Sequence, residues 1–95
     1  MDAVIDTGFD GWLSLSSSQI ANLGLPFRSR GRAMLADGSE QLVDMHEGRV
    51  IWDDETIRIV VDAAETAPLI GMSLMHGFRL TADIVEGGEV TIERL

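Results

Sequence analysis

The chain has 95 residues, with 16 acidic side chains against 7 basic ones and a formal net charge of −9. That length allows one domain, and the charge repels phosphate backbones and anionic lipid surfaces, so neither nucleic acid nor a membrane is an expected partner. There is no cysteine, which excludes disulfides and thiolate chemistry, and with only two histidines a metal site is not expected. No apolar run approaches the ~20 residues that cross a bilayer, and no basic segment leads into an apolar N-terminal stretch, so the expectation is a soluble cytoplasmic protein.

Ala3-Val4-Ile5 is an apolar lead into Asp6-Thr7-Gly8-Phe9-Asp10-Gly11, after which Trp12-Leu13-Ser14-Leu15 resumes the apolar pattern. Val4 and Ile5 favour an extended backbone, while Gly8 and Gly11 permit a sharp turn. Asp6 is therefore placed at a strand end, with Thr7 and the Gly8 amide nearest to its carboxylate. Ser16 and Gln19 have the spacing of a capping box, Gly24 suits the C-terminal cap, and Pro26 stops the helix; Ile20 and Leu23 are expected to face inward. Arg28, Arg30 and Arg32 share one side if extended. That pattern fits either an anion contact or a solvated strand, and the solvated strand is preferred.

Asp37-Gly38 between apolar runs predicts a hairpin with its tip near Asp37, Gly38 and Ser39. Val43 to Trp52 reads as a long extended segment with a bulge marked by Gly48. Asp53-Asp54-Glu55 turns it into Thr56 to Val61, and the acidic triplet reads as a solvated turn rather than a metal site. Asp62 to Thr66 is a connection, and Pro68 precedes the extended Leu69-Ile70 that ends at Gly71. A short helix spans Met72 to His76. Phe78 to Val85 and Glu89 to Leu95 are two strands joined at Gly87-Gly88, with Phe78, Leu80, Ala82 and Ile84 on one face. The whole is an all-β domain of eight or nine short strands and two short helices, without the strand–helix alternation of a parallel sheet.

Three residues such as Asp-Thr-Gly occur by chance in many turns, but their order with the rest of the chain is more specific. Asp6-Thr7-Gly8, the helix-like Ser16 to Leu25, the hairpin Leu35-Ala36-Asp37-Gly38-Ser39 and Leu69-Ile70-Gly71-Met72-Ser73-Leu74 together resemble the retropepsin-like, or retroviral-type, aspartic proteases, and more narrowly their small prokaryotic single-domain relatives. The resemblance spans nearly the whole chain. It implies a small β-barrel with a flap hairpin, working as a homodimer on a peptide or protein substrate without a cofactor. By resemblance Asp6 is the catalytic aspartate, Thr7 bonds across the dimer interface, and Gly8 approaches the substrate backbone. Phe9 and Asp10, the flap residues 35–39 and the bracketing loop Leu69, Ile70 and Gly71 are the implied substrate-binding residues, and the C-terminal hairpin contributes to the dimer. Family members usually have one or two strands before the catalytic turn, whereas here only Met1 to Ile5 precede it, so a short or missing first strand is expected.

Asp10 fits a substrate contact or a carboxylate that stabilises its own turn. A calcium loop from Asp6 fails, because Gly8 takes a ligand position and Ser17 stands where a bidentate Glu is needed. His46 and His76 read as surface or partly buried side chains, and Met34, Met45, Met72 and Met75 as gap fillers. Since the chain carries one Asp-Thr-Gly, peptide hydrolysis by paired carboxylates requires a second copy of it. The alternative from the same residues is a catalytically silent dimer that binds peptides or assembles.

Overall fold

The computed structural model describes residues 2–34 and 37–95. In chain order it contains β1 (Val4–Ile5), β2 (Leu13–Leu15), α1 (Ser17–Leu23), β3 (Phe27–Met34), β4 (Glu40–Trp52), β5 (Glu55–Ala63), β6 (Leu69–Ile70), α2 (Met72–Met75), β7 (Phe78–Ala82) and β8 (Val90–Arg94). Six strands form one sheet in the order β1-β6-β2-β5-β4-β3, and β7 pairs with β8 in a second, two-stranded sheet. The protein is mostly β, as expected. Among the described residues the larger sheet does not close on itself, its edges being β1 and β3.

The long ladder β3–β4–β5 is antiparallel and built from neighbouring segments. Its β4–β5 turn is the tight pair Asp53-Asp54, both at positive φ (50° and 62°), the backbone that suits the twist of a two-residue hairpin and that aspartate tolerates better than most residues. The other half is less local. Leu13–Leu15 runs parallel to Val61–Ala63, and Val4–Ile5 runs parallel to Leu69–Ile70, while β2 and β6 are antiparallel. Strands distant in sequence thus meet beside the Asp6 turn, and the sheet is mixed although the chain lacks the strand–helix alternation of a parallel sheet.

Helix α1 is capped as its sequence dictates. Ser16 Oγ accepts the Gln19 amide at 3.2 Å, Gln19 Oε1 accepts the Ser16 amide at 3.1 Å, and Gly24 closes the helix in the left-handed conformation. Ile20 packs inward with Leu15, Ile59, Val61 and Leu74. Leu23 does not, being 56% exposed: two turns of helix present one narrow stripe to the sheet, and Ile20 takes it.

Other boundaries move. Asp62, read as part of a connection, is inside β5; β4 begins at Glu40; and β7 ends at Ala82, leaving Ile84 90% exposed rather than on a packed face. Gly48 is not a bulge, since its pairing with Ile59 is regular; a methyl group there would lie 2.9 Å from Val61 Cγ2, so close packing is what selects glycine. The bulge falls instead between Phe27 and Ser29, where Arg28 is the extra residue; Arg28, Arg30 and Arg32 stay exposed in alternation with Ser29, Gly31 and Ala33, and Phe27 is the residue that departs from it.

Leu15 is 1% exposed at the centre of the core. Leu15→Ala is expected to cost about 2–5 kcal/mol, the range for cavity-forming core truncations, whereas Leu23→Ala stays within about 0.5 kcal/mol. Urea unfolding of the two variants checks the difference.

Candidate functional site

The Asp6 turn is held from both ends of the chain. The Val4 amide donates to Pro68 O at 2.8 Å and the Asp6 amide to Ile70 O at 2.9 Å, which fixes the strand that delivers the aspartate. Within the turn, the Gly8 amide donates to Asp6 Oδ1 at 2.9 Å and the Phe9 amide to Asp6 O at 3.1 Å. A carboxylate half-buried in one chain is thus oriented by a backbone donor. The Thr7 side chain is exposed and makes no hydrogen bond among the described residues.

Behind the turn, the segment after β6 crosses its exit. The Gly71 amide donates to Trp12 O at 3.0 Å, the Met72 amide to Phe9 O at 2.8 Å and the Ser73 amide to Gly11 O at 3.1 Å; Ser73 Oγ donates to Asp10 O. Gly71 passes so near Gly11 that a methyl group on it would overlap the Gly11 carbonyl, and the Phe9 ring closes the remaining space, 2.8 Å from that methyl position. Leu69, Ile70 and Gly71 therefore lie against the strands and turn of the first fifteen residues.

The other substrate-binding candidates are less connected. Asp10 is exposed; its carbonyl serves the turn, and with Trp12, Met72, Ser73 and His76 it lines a cleft of ≈ 380 Å³ beside it. Leu35 and Ala36 lie outside the described residues. In the hairpin loop, the Ser39 amide and Ser39 Oγ both donate to Asp37 Oδ1; the hydroxyl bond first, then the amide bond, holds the Asp37 carboxyl below its ordinary range. Gly38 sits at φ 86°. No hydrogen bond among the described residues ties this loop to the Asp6 turn.

Two groups near the turn were given no role from the sequence. Ser73 had no signal of its own, because a serine two residues after a glycine is ordinary. Asp62 was hidden by its placement in a connection. It pairs in register with Ser14 on β2 and its Oδ2 lies 3.4 Å from where a Gly11 side chain would begin. Partial burial pushes its carboxyl up, and the Ser14 hydroxyl is buried without a partner. Among the described residues no group of three or more His, Asp or Glu side chains could hold a metal, and no helix is long and apolar enough to cross a membrane.

Comparison of the chain with protein-family models, with curated proteins and with solved structures gives no match. The functional reading therefore stands on the residues and their geometry.

Gly71→Ala is expected to displace the segment over the turn and to cost at least the ~1–3 kcal/mol of overpacking, with loss of dispersion for the amides of Gly8 and Met72 in an NMR spectrum. Asp62 gives a pH signature. Its folded-state pKa lies above the unfolded 3.8, so the folded chain holds the proton longer and stability falls as pH rises above ~3.8 until the folded carboxyl has ionised. Asp62→Asn removes that decline, and urea midpoints of parent and variant across acidic to neutral pH measure it.

Proposed function

We propose that this chain is a retropepsin-like aspartic endopeptidase that acts as a homodimer, with one Asp6 carboxylate from each copy. The observation that carries the reading is the clasp of Pro68 to Ser73 on the segment Val4 to Trp12 that contains Asp6-Thr7-Gly8, made by five backbone hydrogen bonds donated by Val4, Asp6, Gly71, Met72 and Ser73. An ordinary surface turn gains nothing from being held this way by a segment from the far end of the chain. In this reading the open six-stranded sheet is one half of the barrel-like assembly, and the β3–β4 hairpin is the flap.

The dimer has support in surface chemistry. The β7–β8 hairpin is a two-stranded sheet of its own, an arrangement that is marginal in water unless it packs on something. Trp52 meets Phe78 edge to face and Arg94 reaches Asp53 and Glu55. Ile84, Val85, Val90 and Leu95 of this hairpin region are more than half exposed. A second copy would cover such groups and would give the exposed Thr7 hydroxyl a partner.

Two Asp6 carboxyls brought together cannot both ionise freely, so they share one proton, an arrangement for which aspartic proteases are the standard case. The ionised one takes a proton from water as the water oxygen bonds to the scissile carbonyl carbon. The neutral one donates its proton to the carbonyl oxygen, giving a tetrahedral diol. Proton transfer to the amide nitrogen and cleavage of the C–N bond release the two peptides. The Gly8 amide keeps Asp6 oriented through these steps, and a peptide lying between flap and turn is held by main-chain bonds. The reading puts the protein in the cytoplasm.

Purified chain is expected to cut an unbiased peptide mixture somewhere between acidic and neutral pH, and Asp6→Asn is expected to cut nothing. Adding an equal amount of Asp6→Asn to the parent lowers activity to about half, because random pairing leaves fewer intact dyads. Equal cutting by both chains overturns the assignment of Asp6. Dimerisation without cutting by either chain leaves the silent-dimer alternative.

A further inference from the structure

The protein is strongly acidic, yet its arginines are not distributed as a simple counterweight. Arg30 pairs with Asp44, Arg32 with Glu40, and Arg94 with Asp53 and Glu55. Of the four without such a carboxylate among the described residues, Arg28, Arg49 and Arg58 line one cleft of ≈ 860 Å³. That volume is in the range of small-molecule sites. Trp12, Leu25, Pro26 and Ile59 supply its apolar lining, and Glu47 is its one acidic side chain.

Two features of the backbone set this charge in place. Arg49 and Arg58 are direct partners across the β4–β5 ladder, and like charges opposite one another in an antiparallel pair destabilise it. Arg28 is the extra residue of the β3 bulge, a device that re-aims a side chain, and the cleft it joins is the one those two arginines already line. Arginine presents a planar fork of donors suited to carboxylate or phosphate. An oxyanion between these side chains would turn the repulsion across the ladder into attraction on both sides.

The geometry points to a binding site for a small organic anion, with its oxyanion held by Arg28, Arg49 and Arg58 and its apolar body against Trp12 and Pro26. The site goes beyond the endopeptidase reading and does not involve Asp6.

Calorimetric titration tests it with phenyl phosphate, with inorganic phosphate as the head alone and with benzyl alcohol as the body alone. Phenyl phosphate is expected to bind one site saturably and more tightly than phosphate, and benzyl alcohol not to bind. Arg49→Gln and Arg58→Gln each weaken binding about tenfold or more, the worth of one charge-assisted hydrogen bond. Glu47→Gln, which removes the competing carboxylate, strengthens it. Without ligand, Arg58→Gln raises the urea midpoint, since the opposed charges are relieved, so weakened binding by that variant is not a folding defect. Asp6→Asn binds like the parent, which separates this site from the proteolytic one. No saturable heat at millimolar phenyl phosphate, or unchanged affinity in both arginine variants, overturns the proposal. So does binding of an acidic peptide in the absence of phenyl phosphate binding, which assigns the cleft to a protein partner.

Discussion

The contact on which the rest depends is the near-collision of two backbones, Gly71 passing against the carbonyl of Gly11. Neither position has room for a side chain, and the space that remains is filled by Phe9. Because the approach is so close, the amides of Gly71, Met72 and Ser73 can reach the carbonyls of Trp12, Phe9 and Gly11. If the crossing were looser, Asp6 would sit on a loop held only by its own Gly8 amide. The parallel pairing of β1 with β6, the start of α2 and the position of Trp12 all follow from this one crossing.

The core that supports it is small. Leu15, Ile20, Ile59, Val61 and Leu74 form a single cluster, while Met34, Leu42, Ile51 and Ile84 are largely exposed. The molecule is correspondingly flat, 36 × 35 × 22 Å with a radius of gyration of 14.1 Å, against roughly 12 Å for a rounded domain of this length. Charge follows a different pattern: the exposed ion pairs of Arg30 and Arg32 contribute little each, whereas the arginines set opposite one another work against the sheet that carries them.

Local features of this fold were readable from residue types alone. Ser16 and Gln19 cap α1, Gly24 ends it, and Asp53-Asp54 makes the β4–β5 turn, because each of these depends on neighbours a few positions away. Counting back from that turn would also have placed Arg49 opposite Arg58. The pairing of β2 with β5, and of β1 with β6, could not be read this way, since nothing in Leu13–Leu15 names Val61–Ala63 as its partner. For the same reason the position of Leu69–Gly71 over the Asp6 turn was suggested only by family resemblance, not by spacing. Leu23 misled because a helical stripe was assumed wider than a two-turn helix offers. Asp62 misled because a carboxylate after a run of β-branched residues looks like the end of a strand rather than its continuation. The bulge at Arg28 carries no glycine to mark it, and the glycine that suggested a bulge, at position 48, answers to packing.

The crossing also sets an order of events when the chain is made. Asp6 leaves the ribosome with the first residues, but the segment that gives its turn a fixed shape, Leu69 to Ser73, follows more than sixty positions later in the sequence. At typical synthesis rates this is an interval of roughly 3–13 s. During it the β3–β4–β5 ladder, whose strands are neighbours, has time to form, while the Asp6 turn lacks its Ile70 acceptor and the donors from Gly71, Met72 and Ser73. An emerging chain therefore carries Asp6 in a loop without its final shape until the acceptor Ile70 and the donors Gly71, Met72 and Ser73 follow.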